Sequence, residues 1–343
     1  MLRLPEFDLY QPESVEEAAE LLAEHGTDAR PISGGTDLFP KLKRGQFTPD
    51  VIVSLDGIDG LAGVDIGDDG TVIGGQTSVA TIENHDGLRA AYPALVEAAN
   101  VASTPTLRKM GTVAGNLCQD TRCYYYDQRK DWREALGWCM KAPDEDGYSD
   151  AGALDTDADV DVPCRVAPGS DRCWAVFASD TAAPLIAHDA TVTLVGADGE
   201  REVSLLDLYR DDGISHLDKR HDELLTEVWL PPADGVSSTY RKLSPREAFD
   251  FPSLGLAAAV KQDAEGVVER ATIAMTGVAS CPVVAEEAAA ELEGERPTAD
   301  RLETVGEAVA AGIRPLDNMD YHPAHRKRMA GVYARRALDA VTA

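Results

Sequence analysis

Long apolar segments are missing from this sequence. No run approaches the roughly 20 apolar residues that a bilayer-spanning helix needs. The first residues, from Met1 to Glu6, also lack the apolar stretch of a secretory signal. We therefore expect a cytoplasmic protein that has no membrane partner.

Basic residues are scarce. The 343 residues include 60 acidic and 32 basic side chains, which gives a formal net charge of −28. Nucleic acids and anionic membranes bind to clustered positive charge, so neither is expected as a partner. The acids are spread along the chain, which favours adaptation of the whole surface to a salty, halophilic cytoplasm. An ordinary acidic protein of a mesophile is the alternative.

Several catalytic and binding signatures are absent as well. The seven histidines are scattered. We find no Ser-His-Asp arrangement, no paired acid/base carboxylates and no His-rich metal motif, so nothing indicates hydrolysis. Neither a G-x-G-x-x-G fingerprint nor a Gly-Lys-Ser/Thr phosphate loop occurs. The short Cys-x-x-Cys knuckles of many zinc sites are also missing.

The local patterns that are present predict an α+β protein. Ser14 lies three residues before Glu17, the spacing of a capping box, and Gly26 ends the predicted helix. A second helix is predicted from Leu88 to Val101, and Pro231 to Gly235 has the composition of a domain boundary. Beyond it, strands followed by helices predict a C-terminal α+β domain. Strands are predicted for the β-branched and apolar runs Val51–Leu55, Thr71–Ile73, Thr191–Val195, Glu227–Leu230, Leu254–Lys261 and Ala271–Gly277.

Two glycine-rich turns are candidate phosphate-binding loops. In the first, Gly34 and Gly35 let several successive backbone N–H groups point into one concavity, which suits a phosphate or pyrophosphate. The second turn runs from Gly111 to Asn116. Each turn taken singly is typical of an ordinary tight turn, whereas the two together suggest a dinucleotide.

Five of the six cysteines lie in one segment of little periodicity, from Cys118 to Cys173. Cysteines of a cytosolic enzyme are more often metal ligands or catalytic groups than disulfide partners. Four thiolates hold either zinc or a [4Fe–4S] cluster. The long spacings after Cys123, of 15, 24 and 8 residues, favour a loop around a cluster. The acidic stretch from Asp144 to Asp161 inside this segment is predicted to be a surface loop.

An ordered series of motifs resembles the flavin subunits of the xanthine dehydrogenase, or molybdenum hydroxylase, family. The resemblance covers nearly the whole chain. It implies a two-lobed FAD-binding domain of the vanillyl-alcohol-oxidase (PCMH) type over residues 1–232, with lobes of about 1–55 and 56–232. A C-terminal α+β domain like that of CO dehydrogenase flavoproteins would follow over residues 236–343. The matching segments are Pro31–Leu38 and Arg108–Leu117, as the two FAD loops, with Ser179–Pro184, Glu223–Glu227 and Tyr240–Arg246.

The same resemblance implies which residues contact FAD. Gly34, Gly35 and Thr36 would donate backbone N–H groups to the pyrophosphate. Lys242, otherwise a surface lysine, would place a positive charge near the flavin or its phosphates. Ala114 stands where the family more commonly has glycine, and its small methyl group is expected to fit. The expected contacts are Ile32, Ser33, Gly34, Gly35, Thr36, Asp37, Leu38, Gly111, Thr112, Gly115, Asn116, Asp180, Leu225 and Lys242.

The cysteine segment, residues 118–173, resembles an insertion in the β subunit of 4-hydroxybenzoyl-CoA reductase that holds a [4Fe–4S] cluster. The match implies Cys123, Cys139, Cys164 and Cys173 as cluster ligands. Cys118 lies just before the insertion and would have no role in it. Cys281 is expected to be a buried apolar residue of the C-terminal domain.

The resemblance implies an electron-transfer subunit that contains FAD and [4Fe–4S]. Its partners would be a molybdopterin-binding large subunit and a [2Fe–2S] small subunit, in a dimer of heterotrimers, with a ferredoxin-like or other electron carrier. The leading hypothesis is a subunit like that of 4-hydroxybenzoyl-CoA reductase, in which an aromatic acyl-CoA is reductively dehydroxylated at the molybdenum subunit. The flavin subunit of an aldehyde, xanthine or carbon monoxide dehydrogenase is the first alternative. A non-redox zinc-binding scaffold is the alternative from another class.

Overall fold

The computed structural model describes residues 3–144 and 162–343. Residues 145–161, which carry most of the predicted acidic surface loop, lie outside the described residues. The described residues form three β-sheets with helices packed against them, which confirms the α+β class. None of the helices in these ranges has the length and apolarity needed to cross a bilayer.

The first sheet is small and parallel, and its strand order is β1-β3-β2. The predicted N-cap is confirmed, because Ser14 Oγ accepts a hydrogen bond from Glu17 N at 3.1 Å. The carboxylate of Glu17 accepts from Glu13 N at 2.7 Å, one residue before the N-cap, where a full capping box would use the N–H of Ser14. Gly26 caps the helix with a φ of +54°. The elements of this lobe are β1 (Asp8–Tyr10), α1 (Val15–His25), β2 (Ala29–Ile32), α2 (Leu38–Lys43) and β3 (Val51–Ser54).

The second sheet has five antiparallel strands in the order β4-β5-β8-β6-β7. The helix predicted from Leu88 to Val101 is in fact two helices that meet at Tyr92. Pro93 begins the second one, because proline has no N–H to donate and cannot continue the preceding helix. The elements are β4 (Val64–Gly67), β5 (Gly70–Gly74), α3 (Val79–Glu83), α4 (Asp86–Ala91), α5 (Pro93–Val101), α6 (Pro105–Arg108), α7 (Val113–Leu117), α8 (Lys130–Ala135), α9 (Ala182–Ala187), β6 (Thr191–Gly196), β7 (Gly199–Ser204) and β8 (Leu224–Leu230).

The cysteine segment has little regular structure in its described part. Besides α8, it is held by isolated backbone bridges between Arg122 and Val176 and between Cys139 and Ala142. Its apolar side chains share a core with Ile32, Leu42 and neighbouring residues of the first lobe. The segment therefore packs directly beside the first glycine loop, which joins β2 to α2.

The third sheet is antiparallel, and its order is β12-β11-β10-β9. Alternation along β10 gives it two apolar faces. Ala257 and Ala259 pack into the core of the second lobe, whereas Leu256 and Ala258 pack under the C-terminal helices. The elements are β9 (Val236–Leu243), β10 (Leu254–Gln262), β11 (Val268–Thr276), β12 (Val283–Val284), α10 (Glu286–Ala290), α11 (Ala299–Gly312) and α12 (Pro323–Thr342).

Candidate FAD and cluster site

The first glycine loop presents unpaired backbone donors. Gly35 has a φ of +68°, a conformation that side chains rarely allow, and it turns the chain from β2 into α2. Within residues 3–144 and 162–343, no protein acceptor pairs with the N–H groups of Gly34, Gly35 or Thr36. Three successive free donors at a tight turn form the kind of concavity that binds a phosphate group. The residues present therefore fit the pyrophosphate of FAD.

The two glycine loops are in direct backbone contact. A Cβ added to Gly34 would lie 1.6 Å from the carbonyl oxygen of Met110, so only glycine fits at this position. Ser33 Oγ donates to Gln76 Oε1 at 2.6 Å and lies 3.0 Å from Thr112 Oγ1. Thr36 Oγ1 would be 3.4 Å from a Cβ on Gly111. The structure thus brings together the two loops that the sequence analysis paired.

The second loop uses most of its backbone donors inside the protein. Ala114 N donates to Gly75 O and Asn116 N to Thr112 O, both at 2.9 Å. Thr112 Oγ1 caps α7 by accepting from Gly115 N at 3.2 Å. The second loop therefore supports the first one. Its own groups that remain available to a ligand are its side chains and the N–H of Thr112.

Gly75 and Gln76 belong to this site, and the sequence analysis missed them. A Cβ on Gly75 would lie 2.5 Å from Leu225 O and 3.2 Å from the methyl group of Ala114. The methyl group of Ala114 therefore fits because Gly75 has no side chain. Leu225 lies beside a bulge in β8, and its carbonyl oxygen faces Gly75. The signal was present, since a Gly-Gly pair stands at the end of β5 much as Gly34-Gly35 stands just after β2.

Asn116, Asp180 and Lys242 form a buried polar group behind the second loop. Asn116 Oδ1 accepts from the hydroxyls of Ser179 and Thr181, each at 2.7 Å. Asp180 accepts from Tyr240 Oη at 2.8 Å and from Lys242 Nζ at 3.1 Å. Burial raises the pKa of the Asp180 carboxyl, although the ammonium of Lys242 opposes this shift.

Lys242 is not a surface lysine, because only 4% of its side chain is exposed. Its ammonium is held by Asp180 and by Val101 O at 2.8 Å. The surface alternative for this residue is therefore wrong. Its positive charge is balanced within the protein by the Asp180 carboxylate.

Three predicted FAD contacts lie on the side of the loop that faces the cysteines. The Asp37 carboxylate pairs with Arg122 and accepts from Asp120 N at 3.3 Å. Ile32 is part of the core shared with the cysteine segment, and Leu38 packs against that core. These side chains join the first loop to the cysteine segment.

Four cysteines line one cavity, and they are the four that the sequence predicted as ligands: Cys123, Cys139, Cys164 and Cys173. All four are buried, and no cysteine of the described chain is paired in a disulfide. Burial raises the pKa of the Cys123 thiol to about 12 and also raises the pKa values of Cys139 and Cys173. Metal binding to such thiols must displace protons.

The arrangement of the thiols bears on which metal group they fit. In the described residues, no three His, Cys, Asp or Glu side chains are placed to hold a single metal ion. Tetrahedral zinc requires its ligands around one point at about 2.3 Å. In a four-iron cluster each thiolate binds a different iron, so the sulfurs surround a larger volume. Four buried thiols lining one cavity are the set of donors that a four-iron cluster requires.

The other two cysteines lie away from this cavity. Cys118 and Cys281 are half-buried and pack against the core of the second lobe. Cys281 is therefore less buried than expected, and burial raises the pKa of its thiol to about 11.

Two residues that flank the cysteine cavity were also missed. A Cβ on Gly213 would lie 2.8 Å from Cys173 Sγ, so glycine is needed for the close packing there. Asn318 Nδ2 donates to Trp174 O at 2.6 Å, and Asn318 O accepts from Tyr124 N at 3.1 Å. The C-terminal domain thereby holds both sides of the cavity, a contact between distant segments that local sequence patterns do not reveal.

The fold and the two loops match a known class of flavoprotein. The family model for the FAD binding domain in molybdopterin dehydrogenase matches residues 5–233, and the model for the CO dehydrogenase flavoprotein C-terminal domain matches residues 238–341. The chain belongs to the family of FAD-binding medium subunits of the molybdenum hydroxylases, a family of oxidoreductases. This membership excludes the non-redox scaffold.

Particular relatives are similar along most of the chain. The carbon monoxide dehydrogenase medium chain of Afipia carboxidovorans is 28% identical over 97% of this chain and 96% of its own length. The aldehyde oxidoreductase FAD-binding subunit PaoB of Escherichia coli is 31% identical over 83% of this chain and 86% of its own. The reconstituted CO dehydrogenase from Oligotropha carboxidovorans superposes with a TM-score of 0.77 at 27% identity, covering 99% of both chains.

Proposed function

We propose that this chain is an electron-transfer subunit that holds both FAD and a [4Fe–4S] cluster within a molybdenum-dependent oxidoreductase. The observation that carries the proposal is the single cavity lined by Cys123, Cys139, Cys164 and Cys173, next to the first glycine loop. The resemblance to the β subunit of 4-hydroxybenzoyl-CoA reductase rests on these cysteines. The enzyme would then reductively dehydroxylate an aromatic acyl-CoA at its molybdenum subunit.

The first loop is the proposed anchor of FAD. The free N–H groups of Gly34, Gly35 and Thr36 would donate to the pyrophosphate, and Thr112 would offer its N–H beside them. FAD, when bound, supplies one- and two-electron transfer, while the protein orients it and adjusts its surroundings. The remaining proposed contacts are Ile32, Ser33, Asp37, Leu38, Gly111, Gly115, Asn116, Asp180, Leu225 and Lys242.

The proposed partners are a molybdopterin-binding large subunit and a [2Fe–2S] small subunit, assembled as a dimer of heterotrimers. Support comes from the relatives, which are named as a medium chain of carbon monoxide dehydrogenase and as an FAD-binding subunit of an aldehyde oxidoreductase. A ferredoxin-like protein or another electron carrier would exchange electrons with the complex. The proposed domains are residues 1–232 and 236–343.

A second candidate is the flavin subunit of a carbon monoxide, aldehyde or xanthine dehydrogenase that has no cluster of its own. The identities of 28% and 31% to such subunits favour it. The two candidates differ in iron content, because the second assigns no metal to the four cysteines.

Anaerobic purification with quantification of iron, sulfide and flavin separates the candidates. We expect about four iron atoms per FAD. Cys164→Ser should lose iron and keep FAD, whereas the matched control Cys281→Ser, at a cysteine outside the cavity, should keep both. If the wild-type protein contains FAD but no iron, the second candidate is supported and the first is contradicted. Protein that binds no flavin would contradict both.

We also propose that the net charge of −28 adapts the protein to a salty cytoplasm. Salt screens the attraction within surface ion pairs and so weakens them. In a protein with a large excess of negative charge, salt mainly screens the repulsion between like charges. The dependence of stability on KCl concentration tests this proposal.

A further inference from the structure

A buried ionic network lies between the first glycine loop and the cysteine cavity. Asp120 pairs with Lys41 at 2.8 Å and with Lys141 at 2.5 Å. Arg122 pairs with Asp37, the last residue before α2. The buried cations and their carboxylate partners are Lys41, Arg122, Lys141, Asp37, Asp120 and Asp127, and the half-exposed Arg44 also pairs with Asp127 at 3.8 Å.

Lys141 is the member of the network that lines the cysteine cavity. Its side chain is 0% exposed. Its ammonium also donates to Thr121 Oγ1 at 2.5 Å and to Gly213 O at 2.7 Å, so its position is fixed. Lys41 and Lys141 both lie over the ring of Tyr126, at 4.7 and 4.6 Å from its centroid. Tyr126 Oη donates to Asp120 Oδ2 at 2.9 Å.

Such a network needs a reason other than stability. Burying ion pairs is expensive, and apolar residues of similar volume are often as stabilising. Burial disfavours the charged form of Asp120, yet Lys141 and Lys41 hold its pKa far below the ordinary range, so the carboxylate stays ionised. A fixed charge in a low-dielectric interior acts strongly on any neighbouring group whose own charge changes.

We propose that Lys141 and Asp120 are positioning residues that set, with opposite signs, the reduction potential of the group held by the four cysteines. This proposal rests on the proposed function. Reduction adds negative charge, so the ammonium of Lys141 favours the reduced state and the Asp120 carboxylate disfavours it. The link through Arg122 and Asp37 keeps this charge pair in a constant position relative to the FAD loop.

The test is a redox titration of the purified protein, followed by the electron paramagnetic resonance signal of the reduced cluster. Lys141→Met should make reduction of the cluster at least tenfold less favourable, which equals 59 mV for a one-electron couple. Asp120→Asn should shift the potential in the opposite direction. Lys141→Arg should restore it. The control Lys43→Gln removes the same charge from an exposed position on α2 and should leave the potential unchanged.

The outcomes distinguish the two proposals. Wild-type protein without iron would contradict the proposed function itself. Iron-containing Lys141→Met with the wild-type potential, or the same direction of shift in Lys141→Met and Asp120→Asn, would overturn the role of the charge pair and leave the proposed function intact. If Lys141→Met fails to hold iron, the shift in Asp120→Asn decides; loss of iron from every variant of Lys141 and Asp120 would show a structural role alone.

Discussion

Gly34→Ala should separate the two glycine loops and weaken FAD binding at least tenfold. The added methyl carbon would lie 1.6 Å from Met110 O, whereas real Cβ contacts are almost never under 3.0 Å, so the loops must part by about 1.4 Å. Overpacking of this kind lowers the free energy of unfolding by about 1–3 kcal/mol. The shift also displaces the free N–H groups of the first loop. Loss of one hydrogen bond to a charged group weakens binding by about 1.5–3 kcal/mol, which is at least tenfold in Kd.

The assay is FAD binding by flavin fluorescence, together with urea unfolding of the apoprotein. Gly312→Ala is the matched control, since a Cβ at Gly312, the last residue of α11, would meet no atom within 4 Å and its φ is not positive. That variant should bind FAD as the wild type does and be as stable or slightly more so. The reasoning would be refuted if Gly34→Ala matched Gly312→Ala in both FAD affinity and unfolding.

Two further predictions concern pH and salt. Burial lowers the pKa of His188 to about 4, so between pH 6.5 and pH 4 the unfolded chain binds a proton that the folded chain does not, and stability falls as the pH falls through this window. His188→Gln, whose amide can still bond to Ser238 Oγ, should recover up to about 3 kcal/mol of that loss, measured by urea titration at several pH values. The control is His322→Gln, at an exposed histidine. If the stability of His188→Gln falls with pH as steeply as that of this control, the prediction is contradicted. The Tm should rise between 0.1 M and 1 M KCl, as the screening length falls from about 10 Å to about 3 Å. A flat or falling Tm, or an equal rise in sucrose of the same osmolality, would contradict the halophilic interpretation.

Some features of this protein depend on residues that are close in sequence, and these were predictable. The cap formed by Ser14 and Glu17 spans three residues, and the positive φ at Gly35 depends on that one glycine. The predicted strands were found with ends that differ by a few residues, since alternating and β-branched runs act locally. The helix boundary at Pro93 was also predictable from the local sequence, although a single helix from Leu88 to Val101 was predicted.

The family resemblance predicted which residues contact FAD, but not which side chains they pair with in the folded protein. It placed Asp37 and Lys242 among the FAD contacts, and the structure pairs these side chains with Arg122 and Asp180, which lie 85 and 62 residues away. An ion pair between such distant positions depends on how the lobes pack, and no local pattern encodes it.

The sequence by itself determined the chemical inventory of this protein: two glycine turns, four clustered cysteines and an acidic surface. Only the tertiary structure decided which groups face one another. It placed Gly34 against Met110, brought the four thiols to one cavity, and put the ionic network between that cavity and the FAD loop. The physical reason is that backbone conformation and capping depend on neighbours in sequence, whereas burial, charge pairing and cavity shape arise only when distant segments exclude water together.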